Sequence, residues 1–294
     1  QLDEKFFASP ALALSAASDA ISAMARLART GVMSALDVLH HFDRHTIDVI
    51  DRNEDHIDAL ADSVDNYLIK LSSHVPPGHG NDLLNYYIQC FSEFERIGDY
   101  AVNLTENAEE LRGKSLAFSA AAAREYDVLA AAIGEILDLS LRSFERQDVA
   151  LAELVEPLEQ VIDTLKEQMR TRHILRMQQG HCSIEAGFVW SDLLTNLERT
   201  SDHCSNIAGC VIDAAQHNLN LHETLRAAHS DTHAFRSEFE RYAAKYALPA
   251  PASAQYDIRR TAPAGVGPPF FVSAAAALER LPDVALQQPS QPVD

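Results

Sequence analysis

The chain has 294 residues, of which 24 are basic and 43 acidic, so its formal net charge is −19. A surface this acidic repels the phosphates of nucleic acid, and we expect no nucleic-acid partner. The hydrophobic fraction of 47% is too high for a disordered chain and allows one large globular domain or two smaller ones.

Apolar residues recur every three or four positions before residue 248, with little interruption by glycine or proline. This pattern predicts long amphipathic helices and no strands. Six helices are predicted, over residues 10–43, 46–72, 81–111, 118–146, 148–177 and 183–216. A seventh pattern covers residues 222–247 and stops at Pro249. Residues 249–294 are rich in Pro, Ala and Gln, so we expect them to be mostly disordered, with a short helix around residues 271–281.

The start of the chain carries no positively charged segment followed by an apolar stretch, so no signal peptide is expected. The four cysteines form no CxxC pair, which favours a reducing compartment. The longest uncharged run, residues 261–278, contains three prolines and cannot form one spanning helix. We therefore expect this piece to be soluble. Because Gln1 is not methionine, we also expect it to be part of a longer protein.

Two sequence patterns occur twice at almost the same spacing. The motif ERIGDYAVN at residues 95–103 recurs as ERTSDHCSN at residues 198–206, which is 103 residues later. Upstream, EDHIDAL at residues 54–60 recurs as EQVIDTL at residues 159–165, which is 105 residues later. A three-helix unit of about a hundred residues is therefore predicted to be duplicated.

Acidic residues occupy matching positions in both copies. On a helix, residues i and i+4 share a face, so Glu95 stacks on Asp99, and Glu198 stacks on Asp202. The preceding helix of each copy carries three carboxylates at about 60–120° from the centre of its apolar stripe. These edge residues are Asp51, Glu54 and Asp58 in the first copy and Glu156, Glu159 and Asp163 in the second.

Half-buried carboxylates that face one another cannot all remain ionised and unpaired, so they take up protons, pair with cations or bind metal. We predict a metal site in each copy. The predicted ligands are Asp51, Glu54, Glu95, Asp99, Glu156, Glu159, Glu198 and Asp202. Oxygen donors favour Mg, Mn or Fe ahead of Zn. The alternative is that these acidic faces are simply solvated.

The doubled motif, each copy following an acidic helix, resembles the PhoU phosphate-regulatory family over residues 15–216. In that family, repeated E(D)xxxD motifs can hold multinuclear metal clusters. The ends of the chain are similar to the PhoU-like cytoplasmic domain at the C-terminus of bacterial sodium/phosphate cotransporters, where the domain directly follows the last membrane span. The similar segments are LD at residues 2–3, ASPALAL at residues 8–14 and RYAAKYALP at residues 241–249.

The resemblance implies a non-enzymatic regulatory domain that binds Fe, Mn, Mg or Zn and modulates phosphate uptake from the cytoplasmic face of the inner membrane. The implied partners are the transmembrane domain of the same transporter, which carries phosphate and sodium, and a second copy of the chain in a homodimer. One alternative is a free-standing PhoU-type adaptor of phosphate signalling. A di-iron carboxylate enzyme is less favoured, because no Glu in this chain has a His three residues later.

The expected fold is all-α, with two tandem three-helix bundles related by a pseudo-twofold axis and a C-terminal accessory helix. The expected parts are a lead-in from a preceding membrane domain (1–14), the first repeat (15–113), the second repeat (114–216), the accessory helix (217–248) and the tail (249–294). Two residues depart from the family pattern. Tyr100 replaces the His that often follows the motif Asp, and Pro157 is expected to kink the fifth helix and make the second cluster less regular.

Overall fold

The computed structural model describes residues 2–75, 79–216, 233–250 and 271–272. The prediction of an all-α fold is confirmed, because eight α-helices account for most of these residues. They are α1 (Pro10–Val38), α2 (Arg44–Ser72), α3 (His79–Gly113), α4 (Ala120–Arg146), α5 (Val149–Ala152), α6 (Val155–Gln178), α7 (Ile184–Gln216) and α8 (His233–Lys245). A 3-10 helix, Glu4–Ala8, precedes α1.

Side-chain caps fix the starts of several helices. Asp43 precedes α2 and accepts hydrogen bonds from the backbone N–H groups of His45 and Thr46. Ser119 and Asp148 cap α4 and α5 in the same way. Each cap satisfies an amide that has no partner within the first turn, which typically stabilises a helix by about 1 kcal/mol.

Helix α1 forms the centre of the first repeat, where it packs against α2 and α3, and it also contacts α4 of the second repeat. Among the described residues, α1 is the one helix that is long and apolar enough to cross a membrane, and 44% of its most apolar stretch is buried inside the protein. A buried core helix has the same length and composition, so this finding alone does not assign α1 to a membrane.

The second repeat consists of α4, α6 and α7, which pack against one another, and α8 lies on α6. Helices α3 and α7 run antiparallel along each other. Glu93 of α3 accepts a hydrogen bond from Asn206 near one end of the contact, and Asn107 donates one to Asp192 near the other. The two helices that carry the repeated motif therefore form the main contact between the repeats.

The fifth predicted helix is divided at residues 153–154 into α5 and α6. Pro157 is the third residue of α6, and the N–H that it lacks belongs to the first turn, where amides have no helical partner. The proline ring would clash with the carbonyl four residues earlier, at Glu153, where α5 has just ended. The structure thus has a break and a new helix start in place of the expected kink.

The C-terminal part differs from its prediction. Phe271 and Val272 form a parallel strand pair with Phe118 and Ser119, although no strand and a short helix were predicted there. Aromatic and β-branched residues favour extended backbone, which accounts for the pairing. The rest of the predicted short helix, the start of the predicted seventh helix (222–232) and most of the tail lie outside the described residues.

Candidate metal centres at the junction of the repeats

The first cluster of carboxylates lies between α2 and α3. Glu54 and Asp58 of α2 and Asp99 of α3 each offer one oxygen atom within 4.8 Å of the other two. A glycine brings the helices together here, since a Cβ atom added to Gly98 would lie 2.9 Å from the Cδ1 atom of Ile57. This close contact places Asp99 beside the acidic edge of α2.

The second cluster repeats this arrangement between α6 and α7. Glu159 and Asp163 of α6 and Asp202 of α7 also offer oxygen atoms within 4.8 Å of one another. The three residues are the repeat counterparts of the first set. Pro157 does not prevent the second cluster from forming, because α6 starts afresh at Val155 and carries both of its ligands on one continuous helix.

Electrostatic repulsion acts throughout the first cluster. Burial raises the pKa of Glu54, and the neighbouring carboxylates Asp58 and Asp99 raise it further. Burial also raises the pKa of Asp99, although Arg96, 3.6 Å away, opposes this shift. The pKa of Glu95 is raised by burial and by the same two aspartates. The cluster therefore favours binding of protons or cations.

The second cluster is more deeply buried. Glu159 is only 9% exposed, and within the described ranges its carboxylate makes no hydrogen bond or ion pair. Burial, then the charges of Glu156, Asp163 and Asp202, raises the pKa of Glu159 to about 9. One carboxylate oxygen of Asp163 is also buried without a hydrogen-bond partner. Burial raises the pKa of Asp163 and of Asp202, and Arg199 opposes the shift of Asp202 from 3.5 Å.

The structure brings together only part of the predicted ligand set. Glu54, Glu159 and the two motif aspartates, Asp99 and Asp202, belong to the two trios. Glu95 borders the first trio, and its pKa responds to the trio's charges. The pKa of Asp163 is likewise raised by Glu198, which borders the second.

The other two predicted ligands lie outside the trios. Burial and the nearby Glu109 carboxylate raise the pKa of Asp51, with Arg44 opposing the shift. Glu156 is 5% exposed and accepts a hydrogen bond from the Ser205 hydroxyl of α7 at 2.5 Å. These two residues therefore flank the clusters, each about one helical turn before the glutamate of its trio.

Two members of the trios, Asp58 and Asp163, were absent from the predicted ligands. The signal was present, because each follows the glutamate of its helix by four residues and so forms an ExxxD pair on the same face. Each cluster thus combines the ExxxD pair of the second helix of its repeat with the aspartate of the third.

The donor set suits a hard or borderline cation. Both trios consist of carboxylates, which bind Mg, Mn and Fe ions as oxygen ligands. A buried carboxylate without a partner, such as Glu159, costs several kcal/mol unless it is protonated or compensated by a cation. The residues present therefore fit a metal ion.

A polar bridge joins α3 to α7 between the two clusters. The Glu93 carboxylate contacts Nδ1 of His203 at 2.7 Å and accepts a hydrogen bond from Asn206 at 3.0 Å. The ring of His203 lies 5.6 Å from that of Tyr100, its counterpart in the first repeat. His203 is also close enough to both Asp99 and Asp202 to oppose the rise of their pKa values. The bridge therefore interacts electrostatically with one aspartate of each cluster.

The family model of the PhoU domain matches residues 21–108 and 127–211, one match in each repeat. The chain belongs to the PhoU family. The two PhoU matches include both trios of carboxylates. They confirm the family resemblance that was drawn from the doubled motif, but they do not show the cotransporter context.

Two curated PhoU relatives show how far the similarity extends. A phosphate-specific transport system accessory protein, the PhoU homolog of Xylella fastidiosa (strain 9a5c), is 26% identical over 189 residues, which are 64% of this chain and 79% of that protein. PhoU homolog 1 of Thermotoga maritima, which bears the same accessory-protein name, is 27% identical over 139 residues. That alignment spans 47% of this chain and 59% of the Thermotoga protein.

Two solved PhoU structures share the fold. The phosphate transport system regulatory protein PhoU of Streptococcus pneumoniae superposes with a TM-score of 0.63 at 18% identity and covers 72% of this chain and 99% of that one. PhoU of Pseudomonas aeruginosa superposes with a TM-score of 0.57 at 20% identity and covers 70% and 94%. At these identities the superpositions show a common helical architecture.

Proposed function

We propose that this chain is a non-enzymatic regulator of phosphate uptake that binds metal ions at its two carboxylate clusters. The observation that carries the metal site is the nine-tenths burial of Glu159, without a partner in the described residues, beside Asp163 and Asp202. The names of the Xylella and Thermotoga relatives, phosphate-specific transport system accessory proteins, support the regulatory role.

The metal would be held in each repeat by the ExxxD pair of the second helix and the aspartate of the third. Bound there, it supplies positive charge that neutralises the facing carboxylates. Glu54 and Asp58 would supply carboxylate ligands from α2, and Asp99 would supply one from α3. The three residues thereby link two helices that otherwise repel each other at this edge.

Regulation would follow if two packings of the bundle differ in their affinity for the metal, since a ligand shifts an equilibrium only by its differential affinity. The bridge of Glu93, His203 and Asn206 lies between the clusters. A change of charge at either cluster would alter the electrostatic potential at His203. Contact with a transport protein at the cytoplasmic side of the membrane would then carry the signal. The net charge of −19 disfavours direct docking on anionic lipid.

The comparisons favour a PhoU-type accessory protein over a domain of a sodium/phosphate cotransporter, since the relatives described above carry the accessory-protein name. The cotransporter proposal rests on the similarity of residues 2–14 and 241–249 to such domains. The gene sequence upstream of Gln1 distinguishes the two: several apolar spans would support the cotransporter, and a start codon close by would support the accessory protein.

The metal proposal is tested by elemental analysis of the purified chain and of a Glu198→Ala/Asp202→Ala variant. We expect bound Fe, Mn, Mg or Zn in the wild type and a reduced content in the variant. A Glu185→Ala variant, which removes an exposed carboxylate from the first turn of the same helix, is the matched control and should keep its metal. Equal metal content in all three proteins would remove the second site.

The regulatory proposal is tested in a host whose own copy of the gene is deleted. Uptake of labelled phosphate is measured at high and low external phosphate. The wild-type gene should restore phosphate-dependent control of uptake, and an Asp58→Asn/Asp163→Asn variant should not. Unchanged uptake after deletion would contradict the role.

A further inference from the structure

The second cluster has a partly buried cation beside it that the first cluster lacks among the described residues. In the second repeat, the Lys166 ammonium lies 2.5 Å from the Oε2 atom of Glu198, and the two side chains are only 18% and 21% exposed. Lys166 also lowers the pKa of Asp163, against the effect of Glu198. The ammonium therefore lies within the electrostatic reach of the cluster itself.

In the described part of the first repeat, no lysine or arginine occupies the equivalent position. The counterpart of Lys166 is Ala61, which is 5% exposed. Glu95, the counterpart of Glu198, makes no ion pair or hydrogen bond among the described residues. Burial and the charges of Asp99 and Asp58 raise its pKa, and the charge of Arg96 opposes this shift.

The arginines beside the two motif aspartates match between the repeats. Arg96 pairs with Asp99 at 3.6 Å, and its counterpart Arg199 pairs with Asp202 at 3.5 Å. Among the described residues, Lys166 is thus a cation beside the second set of four carboxylates that the first set lacks, and Glu159 is more deeply buried than its counterpart Glu54.

We propose that Lys166 is a built-in cation that occupies one position of the second metal cluster, so that this site holds metal more weakly, or holds fewer ions, than the first. The inference rests on the metal-binding function proposed above. Like charges repel strongly at partly buried positions, so an ion that approaches Glu198 must displace the ammonium or remain away from that carboxylate. The first cluster consequently fills at a lower metal concentration than the second.

The experiment isolates each cluster in the full chain and titrates it with Mn²⁺ by calorimetry at pH 7. Asp58→Asn/Asp99→Asn leaves only the second cluster, and Asp163→Asn/Asp202→Asn leaves only the first. Lys166→Ala and Lys166→Gln are then added to the chain that retains only the second cluster. Alanine reproduces the first repeat, and glutamine keeps most of the length of the side chain without the charge.

We expect the first cluster to bind Mn²⁺ at least about tenfold more tightly, or with at least one more ion, than the second. Removal of the Lys166 charge should raise the Mn²⁺ affinity of the second cluster by a similar factor, or let it bind one more ion. Arg170→Ala is the matched control, because it removes a cation from the same helix that pairs only with Glu167, at 4.0 Å, among the described ion pairs. It should leave Mn²⁺ binding unchanged.

The possible results separate the two proposals. If the wild type binds no Mn²⁺ or other divalent ion, both the metal function and this inference are overturned. If both clusters bind Mn²⁺ but with equal affinity and stoichiometry, or if neither Lys166 variant differs from its parent, the metal sites stand and this inference alone is wrong. Equal binding by the two isolated clusters overturns the inference even if one Lys166 variant fails to fold, and the other variant then tests the charge.

Discussion

The replacement of Glu159 by glutamine should stabilise the metal-free protein. A glutamic acid in the unfolded chain ionises near pH 4.5, whereas burial and the surrounding carboxylates raise the pKa of Glu159 in the fold to about 9. The folded state therefore keeps a proton that the unfolded state releases. The contribution of protonated Glu159 to the free energy of unfolding is therefore complete below pH 4.5. It is lost progressively as the pH rises toward 9.

The size of the effect follows from the same shift. Each pKa unit corresponds to about 1.36 kcal/mol, so at pH 7 the metal-free wild type has lost about 3 kcal/mol relative to pH 4.5. Glutamine resembles the protonated acid and does not ionise. Glu159→Gln should thus be neutral near pH 4.5 and more stable than the wild type by about 3 kcal/mol at pH 7, or about 5–10 °C in Tm.

Urea unfolding followed by circular dichroism, in EDTA at several pH values, measures this difference. Glu167→Gln, an exposed carboxylate on the same helix, is the control and should change stability by no more than about 0.5 kcal/mol. With saturating Mn²⁺ the order should reverse, because the variant lacks a ligand that stabilises the bound state. A difference between Glu159→Gln and wild type that does not vary with pH in EDTA would refute the reasoning.

Three further predictions concern the scaffold and the metal. Glu125 is 3% exposed and accepts hydrogen bonds from Arg172 and Arg176, whose side chains are themselves only 23% and 12% exposed. Glu125→Ala leaves these partly buried cations without their carboxylate and should cost about 3 kcal/mol in urea unfolding. A loss below about 1 kcal/mol would contradict this. Gly98→Ala places a methyl group 2.9 Å from Ile57, so we expect about 1–3 kcal/mol of destabilisation and weaker Mn²⁺ binding at the first cluster. Unchanged Mn²⁺ affinity would show that α2 and α3 tolerate the separation. Chelation should lower the Tm of the loaded protein, and an identical melting curve with and without EDTA would count against metal-stabilised packing.

The long helices could be predicted from sequence because their signal is local. The spacing of apolar residues and the breaks between them predicted most helix ends within a few residues of the observed ones. Helix α2, for example, was predicted over residues 46–72 and is observed at Arg44–Ser72. The break before α6 was missed, because its position depends on a clash between Pro157 and the carbonyl of Glu153. The strand pair at Phe271 depends on a partner more than 150 residues away, so no local pattern indicates it.

The candidate site was predictable in its helices but not in each ligand. Helical angles placed Asp51 and Asp58 on the same edge of α2, yet only the structure shows that Asp58 meets Asp99. Which turn of α2 lies opposite the motif depends on where the helices cross, and in the structure they approach closely at Gly98 and Ile57. The Lys166 ion pair depends on the same kind of tertiary detail in the second repeat.

The antiparallel packing of α3 on α7 has an evolutionary consequence. Two separate one-repeat chains could form the same interface across a true symmetry axis, and any substitution would then appear on both sides at once. Covalent fusion of the halves removes that constraint. The two halves now differ at matching positions, which two identical chains could not do. Lys166 corresponds to Ala61, and His203 corresponds to Tyr100. In the fused chain, one half can therefore change its metal ligands while the other keeps its own.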